Sequence, residues 1–188
     1  MAKVNLSKGG TVNLQKEVPS LKRVRVGLGW DEPKADLDVT AFILKHDAQG
    51  NAKCEDPEYM VFYNNLVSPN KEVTHTGDNR SGKGDGDDES LLIDVASTLA
   101  SSDEVSIVVT IHKSTVTFGN VKNAYVKIYN DETNDVIAEY KLTDTYTTET
   151  ALQVGSIIKE NNSMVFKAIG QGYNIGLAEF CQGYGLDV

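Results

Sequence analysis

The chain has 188 residues, 40% hydrophobic and 24% charged, with a net charge of -9. This length fits one domain with enough apolar material for a core, and the composition excludes disorder over the whole chain. The acidic balance speaks against nucleic acid as the main partner, because binding a phosphate backbone needs a basic face.

The opening residues Met1-Ala2-Lys3-Val4-Asn5-Leu6-Ser7 lead into no apolar stretch, so no secretory signal is expected. No apolar run approaches about 18 residues, so no membrane span is expected. The two cysteines, Cys54 and Cys181, are far apart in sequence. Without a secretory signal they read as free thiols in a reducing compartment, and the cytoplasm is the expected location.

Apolar residues alternate with Arg and Gly over residues 24–30, which predicts a half-buried strand. Residues 39–44 are apolar at nearly every position and predict a strand buried on both faces. Residues 92–99 predict a short helical stretch. Residues 104–111 are rich in β-branched side chains and predict a central strand. Strands follow over 124–129 and 136–142, separated by the turn chemistry of Asn130-Asp131-Glu132-Thr133-Asn134-Asp135. Segments 151–158 and 164–169 flank Asn161-Asn162-Ser163 as a hairpin. Residues 170–176 read as a tight turn, and 176–183 as a short helix with a glycine stop at Gly183. The whole predicts a mainly-β fold, an antiparallel sandwich with one or two short helices, one of them near the C-terminus.

Residues 74–89 are the longest polar, Gly-rich stretch, with five acids against two bases. A loop of that length in a small domain is functional or disordered. Its glycines at 77, 82, 84 and 86 let the backbone curl and aim several oxygens at one centre, which suits calcium and its six to eight oxygen ligands. Two carboxylates 4 Å apart repel by roughly 4 kcal/mol at an effective dielectric of 20, and a divalent ion removes that cost. Asp36 and Asp38, two residues apart at the start of a strand, point the same way. Asn64 and Asn65 end another apolar segment. The metal-ligand candidates are therefore Asp36, Asp38, Asn64, Asn65, Asp78, Asp85, Asp87, Asp88 and Glu89, around one or two ions. An acidic Gly-rich loop can also be solvated surface, and oxygen ligands alone do not separate calcium from magnesium.

Other motifs fail on context. Gly77-x4-Gly82-Lys83 begins like a phosphate-binding loop, but Gly84 stands where a Ser or Thr is needed. Gly170-Gln171-Gly172 starts like a dinucleotide fingerprint, with too little chain after it for a βαβ unit. His75 abuts the acidic loop and reads as a structural residue more readily than a ligand. His112 follows a strand as a cap or rim residue. No nucleophilic triad is supported.

Several motifs together resemble the tellurium-resistance TerD family of bacterial stress proteins. They are Val26-Gly27-Leu28-Gly29-Trp30-Asp31, Asp36-Leu37-Asp38, Val61-Phe62-Tyr63-Asn64-Asn65 and Thr74-His75-Thr76-Gly77-Asp78-Asn79-Arg80. Gly84-Asp85-Gly86-Asp87-Asp88-Glu89-Ser90, Val109-Thr110-Ile111-His112, Glu149-Thr150-Ala151 and Gly170-Gln171-Gly172-Tyr173 follow in the family order. The resemblance covers almost the whole chain. It implies one cytoplasmic calcium-binding β-sandwich domain over residues 1–188, without catalytic activity. It implies tolerance of tellurite and other stresses in concert with other stress or tellurium-resistance proteins. It maps the family's acidic ligand positions onto Asp36, Asp38, Asp78, Asp85, Asp87, Asp88 and Glu89. The segment between Asp31 and Asp36 is shorter than usual for the family, and Asn162-Ser163-Met164 stands where many members carry a Trp. The competing reading is a metal-dependent hydrolase, with magnesium or manganese held by the acids and Arg80, Lys83 or His75 beside it.

Overall fold

A computed structural model describes residues 3–31, 36–77, 86–112, 115–142 and 146–187. They form two facing sheets. The first runs, in spatial order, β1 (Val4–Leu6), β11 (Asp135–Lys141), β10 (Tyr125–Asn130), β3 (Arg23–Gly29), β8 (Glu89–Asp94) and β7 (Val73–His75). The second runs β2 (Thr11–Asn13), β13 (Ser163–Tyr173), β12 (Ala151–Glu160), β9 (Glu104–Ile111), β4 (Leu37–His46) and β5 (Ala52–Lys53), with β6 (Met60–Val61) also paired to β4. The expected antiparallel pairing holds throughout with one exception. β1 runs parallel to β11, Val4 opposite Ala138, closing one edge of the first sheet.

Alternation explains the packing. Val24, Val26 and Leu28 of β3 are fully buried between the sheets, while Arg25, Gly27 and Gly29 take the opposite face. β4 is buried on both faces because two cores flank it. Leu37, Val39, Ala41 and Ile43 join the core between the sheets. Phe42 and Leu44 join a second cluster, with Cys54, Met60, Phe180, Cys181 and Leu186, beneath α3 (Leu177–Gly183). Each such side chain contributes about 1.5–3 kcal/mol on burial.

Among the described residues three short α-helices are present, α1 (Leu14–Glu17), α2 (Val95–Ser101) and α3. The predicted helix over 92–99 is displaced. Leu91 and Ile93 alternate into the core, so the chain stays in β8 until Asp94, whose carboxylate caps α2 by accepting the Ser97 N–H at 2.8 Å. The glycine stop of α3 is Gly185 rather than Gly183. Gly185 sits at φ +83°, Leu186 donates to the Cys181 carbonyl and Gly185 to that of Gln182, a Schellman closure. The predicted turn at 170–176 is strand as far as Tyr173. Gly170, at φ +60°, lies where the β12–β13 register shifts, so a bulge absorbs the glycine without ending the strand. The hairpin at Asn161 and Asn162 forms as expected, both residues at positive φ.

Residues 74 and 75 finish β7 and Glu89 begins β8, so the acidic loop is shorter than its sequence stretch; residues 78–85 lie outside the described set. The register places the ends of β3, β7 and β9 and the starts of β4, β8 and β10 at one end of the sandwich. Among the described residues no helix is long and apolar enough to cross a membrane.

Candidate metal centre

Asp36 and Asp38 enter β4 at this end. Asp38 is 5% exposed, and its Oδ2 lies 3.7 Å from His112 Nδ1. His112, one residue past β9, donates its N–H to the Asp36 carbonyl at 2.8 Å. The Tyr63 ring meets the His112 ring edge-on at 6.0 Å. Tyr63 belongs to a tight turn in which Phe62 and Asn65 exchange both backbone hydrogen bonds at 3.0 Å. The Asn65 side-chain NH2 donates to the carbonyls of Glu58 and Met60, which fixes the amide orientation. Asn64 is exposed in the same turn. His112 thus touches both the Asp36–Asp38 segment and, through the Tyr63 ring, the turn that carries Asn64 and Asn65.

Asp87, Asp88 and Glu89 are adjacent in sequence but enter three environments. Glu89 is 2% exposed and turns inward from β8. Its Oε2 accepts the Val39 N–H at 2.8 Å, so the carboxylate ties β8 to the start of β4. The same oxygen lies 3.6 Å from His75 Nε2. Gly77 donates its N–H to His75 Nδ1 at 3.0 Å, which turns Nε2 of the ring toward Glu89.

Asp88 sits beside the strand end, its Oδ2 accepting the Trp30 N–H at 3.1 Å. Burial pushes its carboxyl above the usual range, and the charges of Asp31 and Asp87 push the same way against the Trp30 hydrogen bond.

Asp87 lies over the outer face of the first sheet, away from Glu89 and Asp38. Arg25 Nη1 donates to its Oδ2 at 2.6 Å, while Tyr129 and Tyr125 donate to its Oδ1 at 2.9 and 3.2 Å. The Arg25 guanidinium stacks 3.9 Å above the Tyr129 ring. Gly27 makes room, since a Cβ there would land on the Asp87 carboxylate. Burial, and then Asp87 itself, push both tyrosine hydroxyls far above their ordinary titration range. This clasp was missed in the sequence, although Arg25 and the two tyrosines all stand at outward strand positions.

Asp78 and Asp85, like Arg80 and Lys83, lie outside the described residues. Among the described residues no three His, Cys, Asp or Glu side chains are close enough to hold an ion unaided. The donors around β4 are carboxylate and amide oxygens, a set suited to a hard cation and not to a soft one.

The profile of the TerD domain matches residues 1–184. The chain is 44% identical to the tellurium resistance protein TerD of Serratia marcescens, over 98% of each chain. It is 42% identical to general stress protein 16U of Bacillus subtilis, over 98% of each chain. Among solved structures, a protein of unknown function superposes with a TM-score of 0.70 at 25% identity, covering 89% of this chain and 99% of that one. A Streptomyces coelicolor homologue of the telluride resistance protein TerD superposes equally well at 22% identity, over 87% and 98%. This likeness in fold and along nearly the full length of the relatives shows that the chain belongs to the TerD family of tellurium-resistance and stress proteins.

Proposed function

We propose that this chain is a non-enzymatic, cytoplasmic calcium-binding module of the stress response that acts through partner proteins of the same resistance system. The observation that supports the reading is that Asp36 and Asp38 stand at the entry to β4 while Glu89 is hydrogen-bonded to the same strand at Val39, with Asp38 and Glu89 nearly removed from water. Buried carboxylates are costly unless paired or coordinated. Asp36, Asp38, Glu89 and the Asn64–Asn65 turn would hold the ion, completed by Asp78 and Asp85. Asp88 would supply charge at the rim, and Asp87 would anchor the loop through Arg25. Bound calcium would neutralise the acids and order the segments that converge there, presenting a fixed surface to a partner.

The hydrolase reading draws less support. Of its three candidate bases or phosphate ligands, His75 is 3% exposed, with Nδ1 accepting the Gly77 N–H, and so is out of reach of a substrate.

The test is calorimetric titration of chelator-stripped protein with calcium and then magnesium, with melts alongside. Calcium binding in roughly the 10⁻⁷–10⁻⁵ M range, weak magnesium binding and loss of calcium binding in Asp38→Asn are expected. Calcium at 100 times its Kd stabilises the fold by about 2.7 kcal/mol. No calcium uptake, or a preference for magnesium or manganese, would overturn the reading.

A further inference from the structure

The cluster beneath α3 contains three sulfur side chains that the calcium reading does not use, two of them in contact. Cys181, on α3, is 2% exposed, and its thiol donates to the Met60 thioether at 3.4 Å. Cys54, 127 residues earlier in the chain and 5% exposed, belongs to the same cluster. The backbone holds all three in place. Met60 pairs with Phe42 of β4. The Cys54 N–H donates to the Tyr184 carbonyl at the end of α3, and its thiol donates to the Asp56 carbonyl at 3.4 Å. Asp56 caps the 3-10 turn Pro57–Tyr59 that leads into Met60. A cleft of about 550 Å³, lined by Lys45, His46, Lys53 and Cys54 among others, opens beside Cys54 and provides a route from solvent.

We propose that Cys54, Met60 and Cys181 form a site for one soft monovalent cation of the copper(I) or silver(I) type. Thiolate and thioether sulfurs are soft ligands and select such ions over calcium or magnesium. Two sulfurs about 2.3 Å from one ion in a trigonal plane stand about 4 Å apart. The Cys181–Met60 pair at 3.4 Å must therefore open by roughly half an ångström. Methionine, with three rotatable bonds, accommodates this.

Binding is ligand exchange without electron transfer. The ion forms two thiolate bonds and one thioether bond, and two protons leave, one from each cysteine. Burial raises both thiols, Cys54 to about 11, so the empty site is protonated near neutrality and the ion displaces protons. Affinity therefore rises with pH. The complex carries one net negative charge, and the cleft beside Cys54 is lined by charges of both signs, Lys45 and Lys53 with Asp47 and Glu55.

This inference rests on no part of the calcium reading, since the sulfurs lie on the outer face of the second sheet. The test titrates the reduced full chain anaerobically with copper(I) against bathocuproine disulfonate, and separately with silver(I). One equivalent retained, with a sulfur-only first shell by X-ray absorption, is expected. Met60→Leu and Cys181→Ser should each weaken retention by about tenfold or more, and excess calcium should not displace the ion. Failure to retain either ion, or a shell of nitrogen and oxygen, would overturn the site. So would wild-type retention by a folded Cys54→Ser/Cys181→Ser double variant. If the serine variants do not fold, the absorption spectrum of the unaltered chain decides alone.

Discussion

Glu89 Oε2, on β8 of the first sheet, accepts the Val39 N–H of β4 in the second at 2.8 Å. A carboxylate thus joins the two layers of the sandwich one residue along β4 from Asp38. Removing it leaves a buried N–H without its acceptor, while keeping the shape and deleting the charge does not. Glu89→Ala should therefore cost about 1–3 kcal/mol of stability. Glu89→Gln should stay near wild type in denaturant melts yet lose calcium affinity. A Gln variant that binds calcium as the wild type does would remove Glu89 from the site.

Arg25 and Asp87 form a clasp that is nearly out of water, their side chains 21% and 6% exposed, with two tyrosine hydroxyls on the same carboxylate. Exposed ion pairs contribute little, but this one is shielded and shared. Arg25→Met should destabilise by about 1–3 kcal/mol, with weak dependence on salt, and should reduce calcium affinity less than Asp38→Asn does. Gly27→Ala should act in the same direction by displacing Asp87. Urea melts at low and high salt check this; stability equal to wild type at both would reduce the clasp to a surface pair.

Glu72 is fully buried. Burial alone would raise its carboxyl, but hydrogen bonds from Ser68, its own backbone, Ser101 and Asn70 outweigh it and hold the group below 4.5. A depressed acid contributes stability above its unfolded pKa, and the contribution disappears as pH falls through the folded value. Glu72→Gln should thus be about 1–3 kcal/mol less stable at pH 7. Its curve should converge with that of the wild type on acidification below 4.5. A constant difference across that range in pH-dependent melts would show that the charge is not what matters.

Gly170 takes φ +60° at the β12–β13 bulge, with the Tyr140 hydroxyl where a Cβ would lie and that of Tyr146 close by. Gly170→Ala combines left-handed strain with a clash and should cost about 1–3 kcal/mol. An unchanged urea midpoint would mean that the bulge relaxes freely.

Much of the fold was legible because strands announce themselves by alternation. The segment over 104–111 is β9 as read, and the double burial of 39–44 follows from its unbroken apolar run. The errors fell where tertiary contact overrides local chemistry. Gly170 looked like a turn and is a bulge because β12 continues to pair across it. Residues 92–94 looked helical and remain strand because β3 holds them in register.

The candidate site divides in the same way. Residue type and spacing alone singled out a set of oxygen donors, placed Asp36 and Asp38 at the start of a strand, and marked 74–89 as the longest polar, Gly-rich stretch. Only the tertiary structure separated Asp87, Asp88 and Glu89 into an Arg25 clasp, a rim position and a sheet-to-sheet bond. It alone placed Cys54 in one cluster with Cys181 and Met60. Sequence determines the period and chemistry of each segment, while contacts between distant segments depend on how the sheets stack, and no local pattern encodes that.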